Sequence, residues 1–109
     1  MLDICPSDVY METYTGVKFN PLNPRIEDIR ILDIAQGLSL ICRYGGQVPV
    51  FYSVAEHSVR MSRLLRGRAA FTGLMHDAAE AYIGDMIRPL KRTERLGYEH
   101  QRVEGAVLG

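Results

Sequence analysis

Apolar residues recur at intervals of three and four along much of the chain, a spacing that places side chains on one face of an α-helix. In the segment 25–42 these positions are Ile31, Ile34, Ala35, Leu38 and Ile41. Asp33 is a favourable residue near the start of such a helix. The glycines of Arg43–Gly46 predict its end, because glycine readily adopts the left-handed conformation of a helix cap.

Further helices are predicted downstream. Ser53 and Glu56 form the capping-box pattern Ser-x-x-Glu, which predicts a helix from this point to about Leu65. A turn at 66–68 leads to a third helix over about 69–82, and a final helix is expected over about 91–108. Short turns between helices favour antiparallel packing.

Residues 1–24 lack a helical period. The segment 14–19 suits a short strand or hairpin arm, and Pro21 and Pro24 interrupt the chain after it. The segment 47–52 is rich in valine and aromatic residues and is predicted to be extended. The expected fold is a single, mostly α domain over 1–109, with an irregular or β arm at 1–24 and a helical core at 25–109.

Composition narrows the class of protein. The 109 residues suit one domain, and the hydrophobic share of 47% and charged share of 24% are those of a soluble globular protein. A formal net charge of zero argues against a binder of nucleic-acid polymers or membrane surfaces. No apolar run approaches the ~20 residues that span a bilayer, and the N-terminus lacks a signal-peptide pattern.

A cytoplasmic location is therefore expected, and it determines how the cysteines are interpreted. Cys5 and Cys42 are predicted to be free thiols in a reducing compartment, with a disulfide between them as the less favoured alternative.

The strongest chemical signal is a group of metal-binding side chains. His57 lies near the start of the second helix, and His76 and Asp77 are adjacent in the third. An antiparallel helical hairpin can bring the two histidines opposite each other, and imidazole with carboxylate suits Mn, Fe, Co, Ni or Zn better than Ca. Glu80 follows on the same side as a direct ligand, an outer partner of a ligand or a general base.

Each of these residues also has an ordinary structural explanation. A lone His-Asp pair is usually a surface or capping pair, Glu80 could be a solvated helix residue, and Asp85 could cap a helix. The combination is more specific than any single residue, and it predicts a divalent-metal site and metal-assisted hydrolysis.

Two runs resemble a known family, YSVAEHS at 52–58 and LMHDAAEAYIGD at 74–85. They resemble the HD superfamily of metal-dependent phosphohydrolases, in particular the small bacterial and phage branch related to 5′-deoxynucleotidases. The runs TYTG at 13–16 and CRYGG at 42–46 are similar to the N-terminal region of that branch. The resemblance covers about residues 13–91 and implies an HD-domain helical bundle.

The resemblance implies a role for individual residues. The metal ligands would be His57, His76 and Asp77, holding a divalent ion (Mn, Co, Fe, Ni, Zn or Mg). The catalytic residues would be Glu80, which handles protons, and Asp85, which orients or activates water. The phosphate-binding region would contain Arg43 with the aromatic Tyr44 beside it, and Arg88 and Lys91 are added on charge and position. The implied substrate is a phosphomonoester, with a nucleoside 5′-monophosphate as the expected class.

The chain departs from this family after Asp85. The family signature ends with a further metal-binding aspartate, but no aspartate follows here, and only Glu94, Glu99, His100 and Glu104 remain as donors. A C-terminus truncated relative to the family is expected. The alternative to an enzyme is therefore a catalytically impaired, HD-like module that binds nucleotides or dimerises, with a purely structural helical domain as a weaker third hypothesis. The apolar final helix predicts a homo-oligomer.

Overall fold

A computed structural model of the chain describes residues 9–86 and 88–108, with the side chains of 91 and 94–100 outside that description. The fold is mostly helical, as predicted, with a small antiparallel sheet near the N-terminus. The strands are β1 (Met11–Glu12) and β2 (Lys18–Phe19). The helices are α1 (Ile31–Leu40), α2 (Val54–Arg63), α3 (Arg68–Met75), α4 (Glu80–Ile83), α5 (Arg88–Lys91) and α6 (Glu94–Leu108).

The N-terminal arm is a hairpin in which Met11 pairs with Phe19 and Glu12 pairs with Lys18. Its connection is tight, because the Thr13 N–H donates to the Val17 carbonyl at 2.9 Å and the Thr13 hydroxyl accepts from the Val17 N–H at 3.0 Å. The β arm predicted over 14–19 is therefore only partly a strand. Its first half forms the turn.

Asp33 fixes this hairpin to α1. One carboxylate oxygen accepts from the Thr15 N–H at 2.8 Å and the other from the Thr15 hydroxyl at 2.9 Å. Burial opposes ionisation, but hydrogen bonds from Thr13 and Thr15 and the charge of Arg30 together hold the pKa of Asp33 below its usual value. The sequence placed Asp33 at the helix start. The N-cap is instead Arg30, and Asp33 serves as the link to the hairpin.

Replacing Asp33 by alanine is expected to destabilise the protein by about 2 kcal/mol at neutral pH, because both Thr15 donors lose a charged acceptor. The folded pKa lies below the unfolded value of 3.8, so this stabilisation is present above pH 3.8 and is lost as pH falls through the folded pKa. Urea unfolding at pH 7 and pH 3 measures the difference, with the exposed Glu27→Ala as the control. An equal effect of Asp33→Ala at both pH values would contradict the assignment.

The core lies between the hairpin, α1, α2, α4 and α6. Phe19 is fully buried and stacks on Tyr82 with ring centroids 4.2 Å apart, while the Tyr82 hydroxyl accepts from the Arg30 N–H at 3.2 Å. The other buried apolar residues are Ile34, Leu38, Val54, Ala78, Ala79 and Val103. Val103 thus brings α6 onto the core of its own chain, so this part of the final helix is not an apolar face awaiting a partner.

The buried face of α1 differs from the predicted one. Ile31 was expected in the core but is 67% exposed, whereas Asp33, Ile34 and Leu38 are buried. The packed face is instead rotated toward Asp33, which binds the hairpin, and Gly37, which lies against α4. A Cβ atom on Gly37 would be 2.9 Å from the Ala81 Cβ.

The third predicted helix is divided. α3 ends at Met75, and the chain then tightens, because the Ala78 N–H donates to the Met75 carbonyl and the Glu80 N–H donates to the Asp77 carbonyl, both at 3.0 Å. These bonds span three residues, as in a 3₁₀ turn, where side chains three apart lie on the same side. α4 follows from Glu80.

Two other sequence predictions are settled in part. The segment 47–52, predicted as extended, consists of bends beside a single bridge between Cys42 and Ser53, since Pro49 interrupts it. Cys42 is a free thiol, while Cys5 lies outside the described residues. Among the described helices, none has the length and hydrophobicity needed to cross a bilayer.

Candidate metal centre

The first histidine is placed by the start of α2. The Ser53 hydroxyl accepts from the Glu56 N–H at 3.0 Å, which confirms the predicted N-cap. His57 therefore lies one turn into the helix, between the buried residues Val54 and Ser58 and with only 15% of its side chain exposed. The His57 ring centroid lies 5.1 Å from that of His76.

Gly73 fixes the second histidine. The His76 Nδ1 atom lies 2.5 Å from the Gly73 carbonyl oxygen. Because a carbonyl only accepts hydrogen bonds, Nδ1 carries the proton, and in the neutral ring the lone pair is on Nε2. This arrangement is typical of metal-binding histidines, whose second ring nitrogen donates to a carbonyl or carboxylate.

The three predicted ligands converge. The Asp77 Oδ2 atom lies 3.0 Å from His76 Nε2 and 3.9 Å from His57 Nε2, and one donor atom from each residue lies within 4.8 Å of the others. Metal bonds of about 2.1 Å separate neighbouring ligand atoms by about 3.0 to 4.2 Å, so small side-chain movements are enough to close the set. The Nε2 atom of His76, opposite the Nδ1 atom that contacts Gly73, is the ring atom that faces the Asp77 oxygen. The donor set fits a divalent transition metal.

The surroundings keep His57 neutral. Burial is the largest cause of its lowered pKa, the charges of Arg43 and His76 act in the same direction, and Asp77 opposes them. A neutral imidazole is the form that binds a metal, so His57 is ready as a ligand at physiological pH.

The lowered pKa of His57 predicts a pH effect on the metal-free protein. Below the unfolded value of 6.5 the unfolded chain takes up a proton more readily than the folded one, so stability falls as pH drops from 6.5 toward the folded pKa. Melting temperatures between pH 7.5 and 5 in a chelator are expected to fall less in His57→Gln than in the parent. Parallel pH profiles in the two proteins would contradict this.

A cavity of about 640 Å³ opens over the three ligands. Glu80 and Asp85 line it, and the 3₁₀-type turn explains why Glu80, three residues after Asp77, is on the same side. Glu80 is 4% exposed. Among the described residues the cluster of close donors is limited to His57, His76 and Asp77, so Glu80 lies in the cavity wall and outside that donor set.

Three of the predicted phosphate-binding residues, Arg43, Tyr44 and Arg88, line the cavity. The Arg43 guanidinium lies 4.5 Å from the Tyr44 ring centroid and 5.7 Å from that of Tyr52. Arg88 lines the cavity from the first turn of α5, whereas sequence reasoning placed it in a loop. The side chain of Lys91 lies outside the described residues.

Sequence reasoning missed Gly73 and Tyr52. Gly73 orients His76 and also lets α3 approach α2, where an added Cβ would be 3.1 Å from Met61 Cγ. A glycine within a predicted helix costs about 1 kcal/mol and was an available signal of such a contact. Tyr52 supports the guanidinium of Arg43, and its place in the bend before α2 gave no comparable signal.

Comparison with known proteins identifies relatives but no activity. The chain is 47% identical over 83 residues to the uncharacterised protein YfdR of Escherichia coli K12, an alignment covering 76% of this chain and 47% of that protein. It is 39% identical over 93 residues to an uncharacterised protein of Rhodobacter capsulatus, covering 77% and 47%. The chain thus spans about half the length of the curated relatives it matches. No protein-family model matches the chain.

Proposed function

We propose that the protein is a metal-dependent phosphohydrolase of the HD type that acts on phosphomonoesters, with nucleoside 5′-monophosphates as its substrate class. The observation that carries this proposal is the convergence of His57, His76 and Asp77 on the wall of a cavity that also contains two arginines. Metal-ligating and phosphate-binding groups in one cavity are what phosphate ester hydrolysis requires.

Each residue has a defined role in this proposal. A divalent ion bound by the three ligands would polarise a phosphoryl oxygen and lower the pKa of a bound water. Arg43 and Arg88 neutralise the charge of the phosphate, which is the main requirement of phosphoryl transfer. Asp85 orients the attacking water, and Glu80, buried in the wall, accepts or returns its proton.

The size and lining of the cavity support a nucleotide as the substrate. A volume of about 640 Å³ lies within the range of about 300 to 1,000 Å³ typical of small-molecule sites. Tyr44, which is 56% exposed, adds an aromatic surface at the opening, beside the Arg43 guanidinium.

Metal content and phosphate release test the proposal together. Protein purified without a histidine tag is expected to contain about one transition-metal ion per chain, and to release phosphate from nucleoside 5′-monophosphates when Mn or Co is supplied. Absence of bound metal after reconstitution with either ion would overturn it.

The second candidate function is a nucleotide-binding module without turnover, and one observation favours it. The described residues supply three close donors, whereas the resemblance implies a fourth. Equilibrium dialysis of a nucleoside 5′-monophosphate distinguishes the two functions, because tight binding in Mn without phosphate release indicates the module.

A further inference from the structure

Two segments of the cavity wall are joined by one hydrogen bond. The Gly45 N–H donates to the Asp85 Oδ2 atom at 3.4 Å, a long and exposed hydrogen bond that spans 40 positions of the sequence. Gly45 belongs to the 3₁₀ turn Arg43–Gly46, and Asp85 follows α4. The turn that carries the phosphate-binding arginine therefore contacts the carboxylate assigned to water activation.

The direction of this N–H depends on an unusual backbone. Tyr44 has φ 58° and ψ 31°, and Gly45 has φ 60° and ψ 24°, so two consecutive residues are left-handed. Glycine adopts this conformation without cost, but Tyr44 is the one non-glycine residue with positive φ in the described part of the chain. Such a conformation costs about 1 to 3 kcal/mol unless the surroundings hold it, and it is concentrated at functional sites.

Contacts on both sides hold the turn in place. The Arg43 N–H donates to the Tyr52 carbonyl at 2.9 Å, and the Gln47 N–H donates to the Tyr44 carbonyl at 3.1 Å. The Tyr44 ring also packs under the Arg43 guanidinium. The strained backbone is thus fixed before any ligand binds, which is the condition for positioning another group accurately.

We propose that Tyr44 is a positioning residue, whose left-handed backbone directs the Gly45 N–H onto one oxygen of Asp85 and leaves the other oxygen free to orient water. The contact itself follows from the geometry, while its effect on catalysis rests on the proposed function. Binding of phosphate by Arg43 and alignment of Asp85 then depend on the same four-residue turn.

Two substitutions separate the backbone of Tyr44 from its ring. Tyr44→Asn and Tyr44→Val both remove the ring, but asparagine tolerates the left-handed region and β-branched valine does not. With a nucleoside 5′-monophosphate and Mn, both variants are expected to raise KM to a similar degree, and Tyr44→Val is expected to have a kcat about tenfold lower than Tyr44→Asn. In an Asp85→Ala background this difference in kcat is expected to disappear. Equal kcat values in the two single variants would overturn the proposal.

A second measurement does not depend on activity. Hydrogen exchange of the Gly45 amide, followed by NMR, is expected to be about tenfold faster in Asp85→Ala and in Tyr44→Val than in the parent and in Tyr44→Asn. Circular dichroism and melting temperature identify any variant that fails to fold. If Tyr44→Val does not fold, the comparison of the parent with Asp85→Ala tests the contact. Equal exchange in the parent and in Asp85→Ala overturns the positioning role. The expected exchange pattern in a protein that releases no phosphate supports the contact while the phosphohydrolase proposal fails.

Discussion

Replacing His76 by alanine is expected to remove the bound metal and lower metal-dependent phosphate release by about 100-fold or more. His76 Nε2 lies 3.0 Å from the Asp77 oxygen, and the Gly73 carbonyl already holds the opposite ring nitrogen. Loss of this side chain leaves two donors, too few to fix the position of an ion. Metal analysis and phosphate release measured on the same samples test the expectation.

The fold should survive this substitution. His76 is a partly exposed residue at the end of α3, and its removal takes a donor from the carbonyl of buried Gly73, at an expected cost of about 1 to 3 kcal/mol. Thr72→Ala is the matched control, because Thr72 is an exposed residue of the same helix and its hydroxyl donates to the Arg68 carbonyl one turn earlier. Full activity in a folded His76→Ala protein would contradict the proposed metal centre.

Replacing Gly37 by alanine is expected to destabilise the protein by about 1 kcal/mol. The added Cβ would be 2.9 Å from the Ala81 Cβ and 3.2 Å from the Ala81 carbonyl oxygen. The Ala81 backbone cannot change rotamer as a flexible side chain can, so α1 and α4 must move apart. Overpacking of this kind typically costs about 1 to 3 kcal/mol. The higher helix propensity of alanine, about 1 kcal/mol, offsets part of this. Because α4 begins with Glu80, activity is expected to fall as well.

Gly105 provides the matched control for this prediction. It also lies within a helix, α6, but a Cβ there would meet nothing within 4 Å. Gly105→Ala is therefore expected to stabilise the protein by about 0.5 to 1 kcal/mol through helix propensity alone. Urea unfolding of the two variants should thus give shifts of opposite sign. Shifts of the same sign would show that the crossing of α1 and α4 is not as close as described.

Local signals in the sequence predicted the parts of the fold that depend on neighbouring residues. The Ser53 cap and the start of α2 follow from side chains a few positions apart. The glycines after Arg43 are left-handed, but they do not cap α1 as predicted, because α1 ends at Leu40 and Ile41 is extended. The three predicted ligands also meet, because a short hairpin restricts how His57 can face His76.

The parts that were missed depend on distant contacts. The buried face of α1 is set by Thr15 and Ala81, which the period of α1 itself cannot reveal. The sequence did not predict the end of α3 at Met75, because Ala78 and Ala79, which follow, are good helix formers. Both alanines are buried in the core, and this tertiary packing accompanies the 3₁₀ turn. Likewise, no local pattern predicts a left-handed tyrosine at position 44.

The hairpin of α2 and α3 holds every group of the proposed metal centre in one short stretch of chain. All three donor side chains, the serine that caps the first helix and the carbonyl that orients His76 lie within residues 53–77. A segment of that length can be inherited or transplanted as one block. Insertions in the exposed bend at Val50 and Phe51 leave the spacing of the block untouched. The flanking chain, which carries Arg43, Glu80 and Asp85, can therefore change in length while the spacing of the three proposed ligands stays the same.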